Sequence, residues 1–178
     1  MIGKITGIGT ALPKYIMDNQ ELSQMVETTD QWIRERTGIR KRHIAKNGET
    51  TTSLAIEAAK EALKEAGIEA GSLDLIIVST NTAVDLMPNT ACEIQKEIKA
   101  DYATCFDITV ACSGFVFAYN TVLAYMKAKM CKKALIVGSE TLSNIVDWSD
   151  RGSCILFGDG AGAVILEEDE SEDFKPVM

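Results

Sequence analysis

Three short, nearly uninterrupted apolar runs constrain the fold of this chain more than any other feature: LDLIIVST at 73–80, TCFDITVA at 104–111 and KALIVGSE at 133–140. Each has strand length. None alternates like a strand with one wet face, so all three read as strands covered on both sides. Helical segments separate them. SLAIEAAKEALKEAG sets Leu54, Ala55, Ala58, Ala59, Ala62, Leu63 and Ala66 along one stripe and closes at Gly67, Pro88 opens a helix through Glu97, and Ser113 to Met130 has helical length and composition. Strands alternating with helices predict an α/β fold, a mostly parallel central sheet with helices on both faces.

The flanking regions read as follows. IGKITGIGTALP alternates like a strand and ends at Leu12-Pro13, Asp18 caps a short helix through Val26, and Asp30 caps a second, QWIRERT, that stops at Gly38. IRKRHIA is then extended. A polar stretch, TLSNIVDWSDRG, leads to SCILF and AGAVILEE, two runs around Gly158, Gly160 and Gly162, and the acidic tail 167–178 reads as a loop or end.

Charge narrows the partners. With 18 Lys+Arg against 26 Asp+Glu the net charge is −8, which argues against a nucleic-acid surface. The run Arg34, Arg36, Arg40, Lys41, Arg42 and His43 is the local exception and suits an anionic ligand or carrier. No apolar stretch reaches the roughly eighteen residues that span a bilayer, and MIGKITGIGT lacks the pattern of a signal peptide. The expectation is a cytoplasmic protein without a membrane partner.

Five cysteines, Cys92, Cys105, Cys112, Cys131 and Cys154, form no C-x-x-C pair and lie far in sequence from the single histidine, so neither a zinc site nor a disulfide framework is expected. Cys112 stands out. It follows an apolar strand directly and opens a helix within Ala111-Cys112-Ser113-Gly114, where small neighbours admit a substrate carbonyl and the helix start favours a thiolate able to attack a thioester. The alternative, a buried structural thiol, stays open on spacing alone; Cys92, Cys105 and Cys131 read as packing or surface residues. The FGDGAGA glycines lack the lysine of a phosphate loop and lead into a strand, so they read as a close-packing device. Trp32 lies one helical turn from Arg36 and is either a core residue or a stacking platform for a planar ring. His43 reads as structural.

The order of these pieces resembles the β-ketoacyl-acyl-carrier-protein synthase III family of the thiolase superfamily. The resemblance is carried by GTALP near the start, TTDQWIRERTGIRKRHIA at 28–45, PNTACEIQ at 88–95, FDITVACSGF at 106–115, ALIVGSETLS at 134–143 and DRGSCILFGDGAGAVIL at 150–166. It implies that Cys112 takes an acyl group from acyl-coenzyme A and presents it to malonyl-acyl-carrier protein for decarboxylative condensation. It also implies that Trp32 and Arg151 sandwich the adenine of coenzyme A, with Arg36 and Thr28 on the same ligand, and that Met87 lines an acyl pocket across a homodimer interface. No metal and no permanently bound cofactor is implied, acyl-coenzyme A being a substrate.

One departure matters. The family also uses a histidine and an asparagine from the second half of a chain about twice this length, and here the only histidine is His43. Residues 1–178 are therefore expected to be an amino-terminal thiolase-like half-domain, one of the two similar halves of the family fold, with the carboxy-terminal half absent, an exposed apolar face, and no condensation by the chain alone. The alternatives are a noncatalytic module that binds coenzyme A or carrier protein, half of a split enzyme, or a relative among polyketide starter synthases and hydroxymethylglutaryl-coenzyme A synthases.

Overall fold

The structure, a computed structural model, describes residues 2–169. Its elements are β1 (Ile2–Ala11), β2 (Tyr15–Asp18), α1 (Asn19–Leu22), α2 (Asp30–Thr37), β3 (Lys41–Ile44), α3 (Thr51–Ala66), β4 (Leu75–Ser79), α4 (Thr90–Ile98), β5 (Thr104–Ile108), α5 (Gly114–Lys127), β6 (Lys133–Thr141), α6 (Arg151–Cys154) and β7 (Asp159–Asp169). Five strands form the central sheet in the order β1-β7-β6-β4-β5. β4 pairs parallel with β5 and β6, while β7 pairs antiparallel with β6 and β1. β1, β6, β4 and β5 therefore all point the same way and β7 alone runs against them, so the sheet is mostly parallel.

The apolar runs serve both faces by strict alternation. In β4, Ile76 and Val78 join the core beneath α3 and α4, while Leu75 and Ile77 join the core beneath α5. Leu135 and Val137 against Ala134 and Ile136 repeat the pattern in β6. The alanine stripe of α3 brings that helix unusually close to β1. A Cβ on Gly9 would lie 2.1 Å from the Ala58 carbonyl oxygen, so glycine on the strand and alanine on the helix set the spacing together. Along the outer edge of β1, the Ile8 and Thr10 N–H groups donate to the Glu65 and Glu61 carboxylates of α3, which blocks that edge to further strand pairing.

A smaller layer holds the ribbon β2–β3 with α1, α2 and α6 around Met17, Leu22, Ile33, Ile44, Cys154 and Ile155. Asp159 fastens it to the sheet, accepting from Ala45 N at 2.7 Å, Ser143 N at 2.9 Å and Ser143 Oγ at 2.6 Å. His43 is structural here too: its Nδ1 lies 2.6 Å from the Pro13 carbonyl, which can only accept, so Nδ1 carries the hydrogen.

Several sequence expectations need correction. The first helix ends at Leu22 rather than Val26, and the cap of α2 is Thr29, whose Oγ1 accepts from Trp32 N, with Asp30 the first helical residue. Glu167, Glu168 and Asp169 do not belong to a loop: they extend β7, where Glu167 lies opposite Lys4 and Lys133. The rest of the acidic tail lies outside the described residues. The basic run is not one surface, because Arg42 is buried, its Nη2 donating to Asn19 Oδ1 at 2.8 Å, while Arg34 pairs with Asp30 at 3.3 Å. The expected exposed apolar face lies at one end of the sheet, where Ile8 of β1 is exposed beside the start of α5. Phe115, Val116 and Phe117 are exposed there, and Phe115 and Ile8 flank a 310 Å³ cavity floored by Gly138 and Gly162. Among the described residues, no helix is long and apolar enough to cross a membrane and no cluster of three or more His, Cys, Asp or Glu side chains could hold a metal.

Candidate active site

Cys112 occupies a sharp connection between β5 and α5. Ala111, just before it, has φ 50°, a left-handed conformation that costs an alanine on the order of 1 kcal/mol. Ser113 Oγ donates to the Val110 carbonyl at 2.7 Å and closes the turn. The helix then starts at Gly114, where any Cβ would collide with the Ser79 side chain at the end of β4. Gly114 and Ser79 thus seat the helix start against the sheet, and the tight turn leaves Cys112 outside.

Burial separates the five thiols. Cys112 is exposed, Cys92 and Cys105 are half-buried, and Cys131 and Cys154 are buried. Burial pushes the Cys131 thiol up to about 12, with nearby Asp74 adding to the shift. Cys105 also rises to about 12, first through burial and then through its hydrogen bond with Cys92. Both thiols stay protonated at neutral pH, so neither offers a free thiolate to a substrate thioester.

Cys112 opens into a cavity of about 440 Å³ whose walls include Ser79, Gly138, Glu140, Gly160 and Phe115. Glu140 is a residue that sequence reasoning missed. Its Oε1 accepts from Asn81 N and Asn81 Nδ2, each at 2.8 Å, and its Oε2 from Thr82 Oγ1 at 2.5 Å, so it ties the segment after β4 to the cavity wall. Ser79 was missed too; the change from apolar to hydroxyl side chains at Ser79-Thr80 was the available signal.

A second group forms around Trp32. The Arg36 guanidinium carbon lies 4.2 Å from its ring centroid and that of Arg151 4.6 Å. Arg151 Nη1 also donates to the Glu27 carbonyl at 3.4 Å, beside Thr28, whose buried Oγ1 has no hydrogen-bond partner. This meeting of distant segments follows from the smaller core, where Ile33 of α2 packs with Cys154 of α6 and the adjoining Ile155. Asp150 caps α6, accepting from Gly152 N at 2.8 Å and Ser153 Oγ at 2.6 Å, and so fixes the backbone next to Arg151. An aromatic ring with two guanidinium groups and a free hydroxyl suits a planar, anionic ligand.

Trp32, Arg36, Arg151 and Thr28 thus come together, while Cys112 stands in its own cavity. Met87 joins neither group. It is 89% exposed on the loop before α4, next to the equally exposed Leu86.

Comparison with known proteins shows what this chain is similar to. The sequence profile of 3-oxoacyl-[acyl-carrier-protein] synthase III matches residues 106–177. A β-ketoacyl-[acyl-carrier-protein] synthase III from Clostridium botulinum is 53% identical over 168 residues, which cover 94% of this chain and 51% of the relative. The crystal structure of 3-oxoacyl-[acyl-carrier-protein] synthase III from Aquifex aeolicus VF5 is 47% identical with a TM-score of 0.93, over 96% of this chain and 55% of that one. The priming β-ketosynthase of the R1128 polyketide biosynthetic pathway is 33% identical with a TM-score of 0.92, over 96% and 51%. The chain spans about half the length of the curated relatives it matches.

Proposed function

We propose that the chain corresponds to the amino-terminal half of a β-ketoacyl-acyl-carrier-protein synthase III and carries the acyl-accepting half of an initiating condensing enzyme of fatty-acid synthesis. In this reading the Cys112 sulfur attacks the thioester carbonyl of acyl-coenzyme A. A new carbon–sulfur bond forms, the bond to the coenzyme A sulfur breaks, and the proton of Cys112 ends on the released thiol. Trp32 and Arg151 take the adenine, and Arg36 and Thr28 contact the same ligand.

The observation that carries the proposal is the exposure of Cys112 alone among the five thiols, at a turn followed by a tightly seated helix start. Condensation with malonyl-acyl-carrier protein draws on groups beyond this half. His43, the only histidine of the sequence, is bonded to Pro13 and cannot supply them. The exposed start of α5 is where the remaining half packs, and Met87 reaches the acyl pocket of a second copy in a homodimer. The protein acts in the cytoplasm and needs no metal or permanent cofactor.

Intact mass before and after incubation with acetyl-coenzyme A tests this, with Cys112→Ala as the control. One acetyl group gained by the wild type and none by the variant is the expected result. Acetylation that persists in Cys112→Ala overturns the role of Cys112. Quenching of Trp32 fluorescence by coenzyme A without acetylation favours a noncatalytic binding module.

A further inference from the structure

We propose that Cys92 and Cys105 form a second thiol site, a dithiol that a hydroperoxide oxidises to an intramolecular disulfide. Their sulfur atoms lie 3.3 Å apart, Cys92 in the first turn of α4 and Cys105 as the second residue of β5. Both are half-buried, so neither is sealed in the core.

The hydrogen bonds orient the pair. Cys105 donates its S–H to Gln95 Oε1 at 3.3 Å, and Gln95 is itself held by donating from Nε2 to the Ala103 carbonyl at 2.6 Å. The Cys92 and Cys105 sulfurs share a hydrogen bond in which either can donate, so each already faces the other. The backbones are already fastened beside them: Asp107, two residues along β5, accepts from Thr90 N at 2.9 Å and Ala91 N at 2.8 Å at the start of α4. Shortening 3.3 Å to the roughly 2.05 Å of a disulfide needs about 1.2 Å, within reach of small side-chain rotations.

The chemistry balances with the peroxide as sole co-reactant. The Cys92 sulfur attacks one peroxide oxygen, the O–O bond breaks, and water leaves for a hydrogen peroxide donor, giving a sulfenic acid. Cys105 enters second, because burial keeps its thiol protonated. Its sulfur attacks the Cys92 sulfur, the S–O bond breaks, and the departing hydroxide takes the Cys105 proton as a second water. Two thiols have lost two electrons and the peroxide has gained them. The link fastens α4 to the strand that leads to Cys112, while leaving Cys112 itself untouched.

The test treats the full-length protein carrying Cys112→Ala with hydrogen peroxide, blocks free thiols with N-ethylmaleimide, and maps tryptic peptides by mass. Removing Cys112 leaves Cys105 the only thiol in its tryptic peptide, since no Lys or Arg lies between Lys99 and Lys127. The expected result is the peptide of Cys92 joined to that of Cys105 with loss of two hydrogens, restored by dithiothreitol, and absent in a further Cys105→Ser variant. Both cysteines fully alkylated after treatment overturns the proposal. So does Cys92 carried to sulfinic acid without a link, or joined to Cys131 or Cys154.

Discussion

A Cβ at position 114 would lie 1.7 Å from Ser79 Oγ and 2.6 Å from Ser79 Cβ, so Gly114 and Ser79 together decide where α5 meets β4. Because Cys112 lies two residues earlier, the same contact positions the thiol. Gly114→Ala is expected to cost about 1–3 kcal/mol by overpacking and to slow acylation of Cys112. Combining it with Ser79→Gly removes both colliding atoms and recovers most of the loss. Urea unfolding and acylation rates of the two single variants and the double variant check this as a cycle, and additive losses would mean the contact does not set the turn.

The central sheet and α3 were legible because their signals are local. Continuous apolar runs and an alanine stripe state burial directly, and Gly67 ends α3 with φ 67° as a left-handed cap. β2 was not legible: YIMD is four residues long and exists through pairing with KRHI of β3, a contact with no local mark. Thr29 and Asp30 both cap helices well, so residue type could not choose between them. Glu167 to Asp169 read as a tail from acidity alone. In the sheet that acidity is answered across strands, Lys133 Nζ lying 3.4 Å from Glu167. Cys112 was legible as a position, whereas the nearness of Arg151 to Trp32 depends on how α2 and α6 share a core, and only the family resemblance suggested it.

The proposed coenzyme A site predicts that Trp32 reports on ligand binding. Arg151 rests on its ring in the free chain, so a planar base entering between them must displace the guanidinium. Coenzyme A is expected to quench Trp32, with Trp148 as an internal reference because its Nε1 is bonded to the Ser143 carbonyl. Trp32→Ala should weaken coenzyme A binding about tenfold or more, roughly 1.4 kcal/mol. Isothermal titration of both proteins measures it, and equal affinities would remove Trp32 from the site.

Asp159 joins two layers through three accepted hydrogen bonds. Asp159→Asn turns one acceptor into a donor facing an N–H or O–H group. A loss of about 2 kcal/mol or more is expected, since a buried donor left unpaired costs 1–3 kcal/mol. The urea midpoint should fall with little change in slope. An unchanged midpoint would show that the clasp contributes nothing.

Stability should decline at both ends of the pH scale, for opposite reasons. The Ser153 hydroxyl, followed by the Gly152 N–H, holds the Asp150 carboxyl below its ordinary 3.8, and the Asn19 amide, with Arg34, does the same for Asp30. A lowered folded value means the unfolded chain takes up the proton first. These contributions are complete above about pH 4 and are lost as pH falls through the folded values. Asp150→Asn should flatten part of that acid limb and free Arg151 from its fixed turn. Cys131 works in reverse: its thiol is raised from 9.0 to about 12, so the unfolded chain releases the proton first and stability falls between those values. Urea midpoints measured from pH 3 to 11 should trace a plateau with two falling limbs, the alkaline one reduced in Cys131→Ala after allowance for the lost packing. An alkaline limb of the same depth in that variant would place its origin elsewhere.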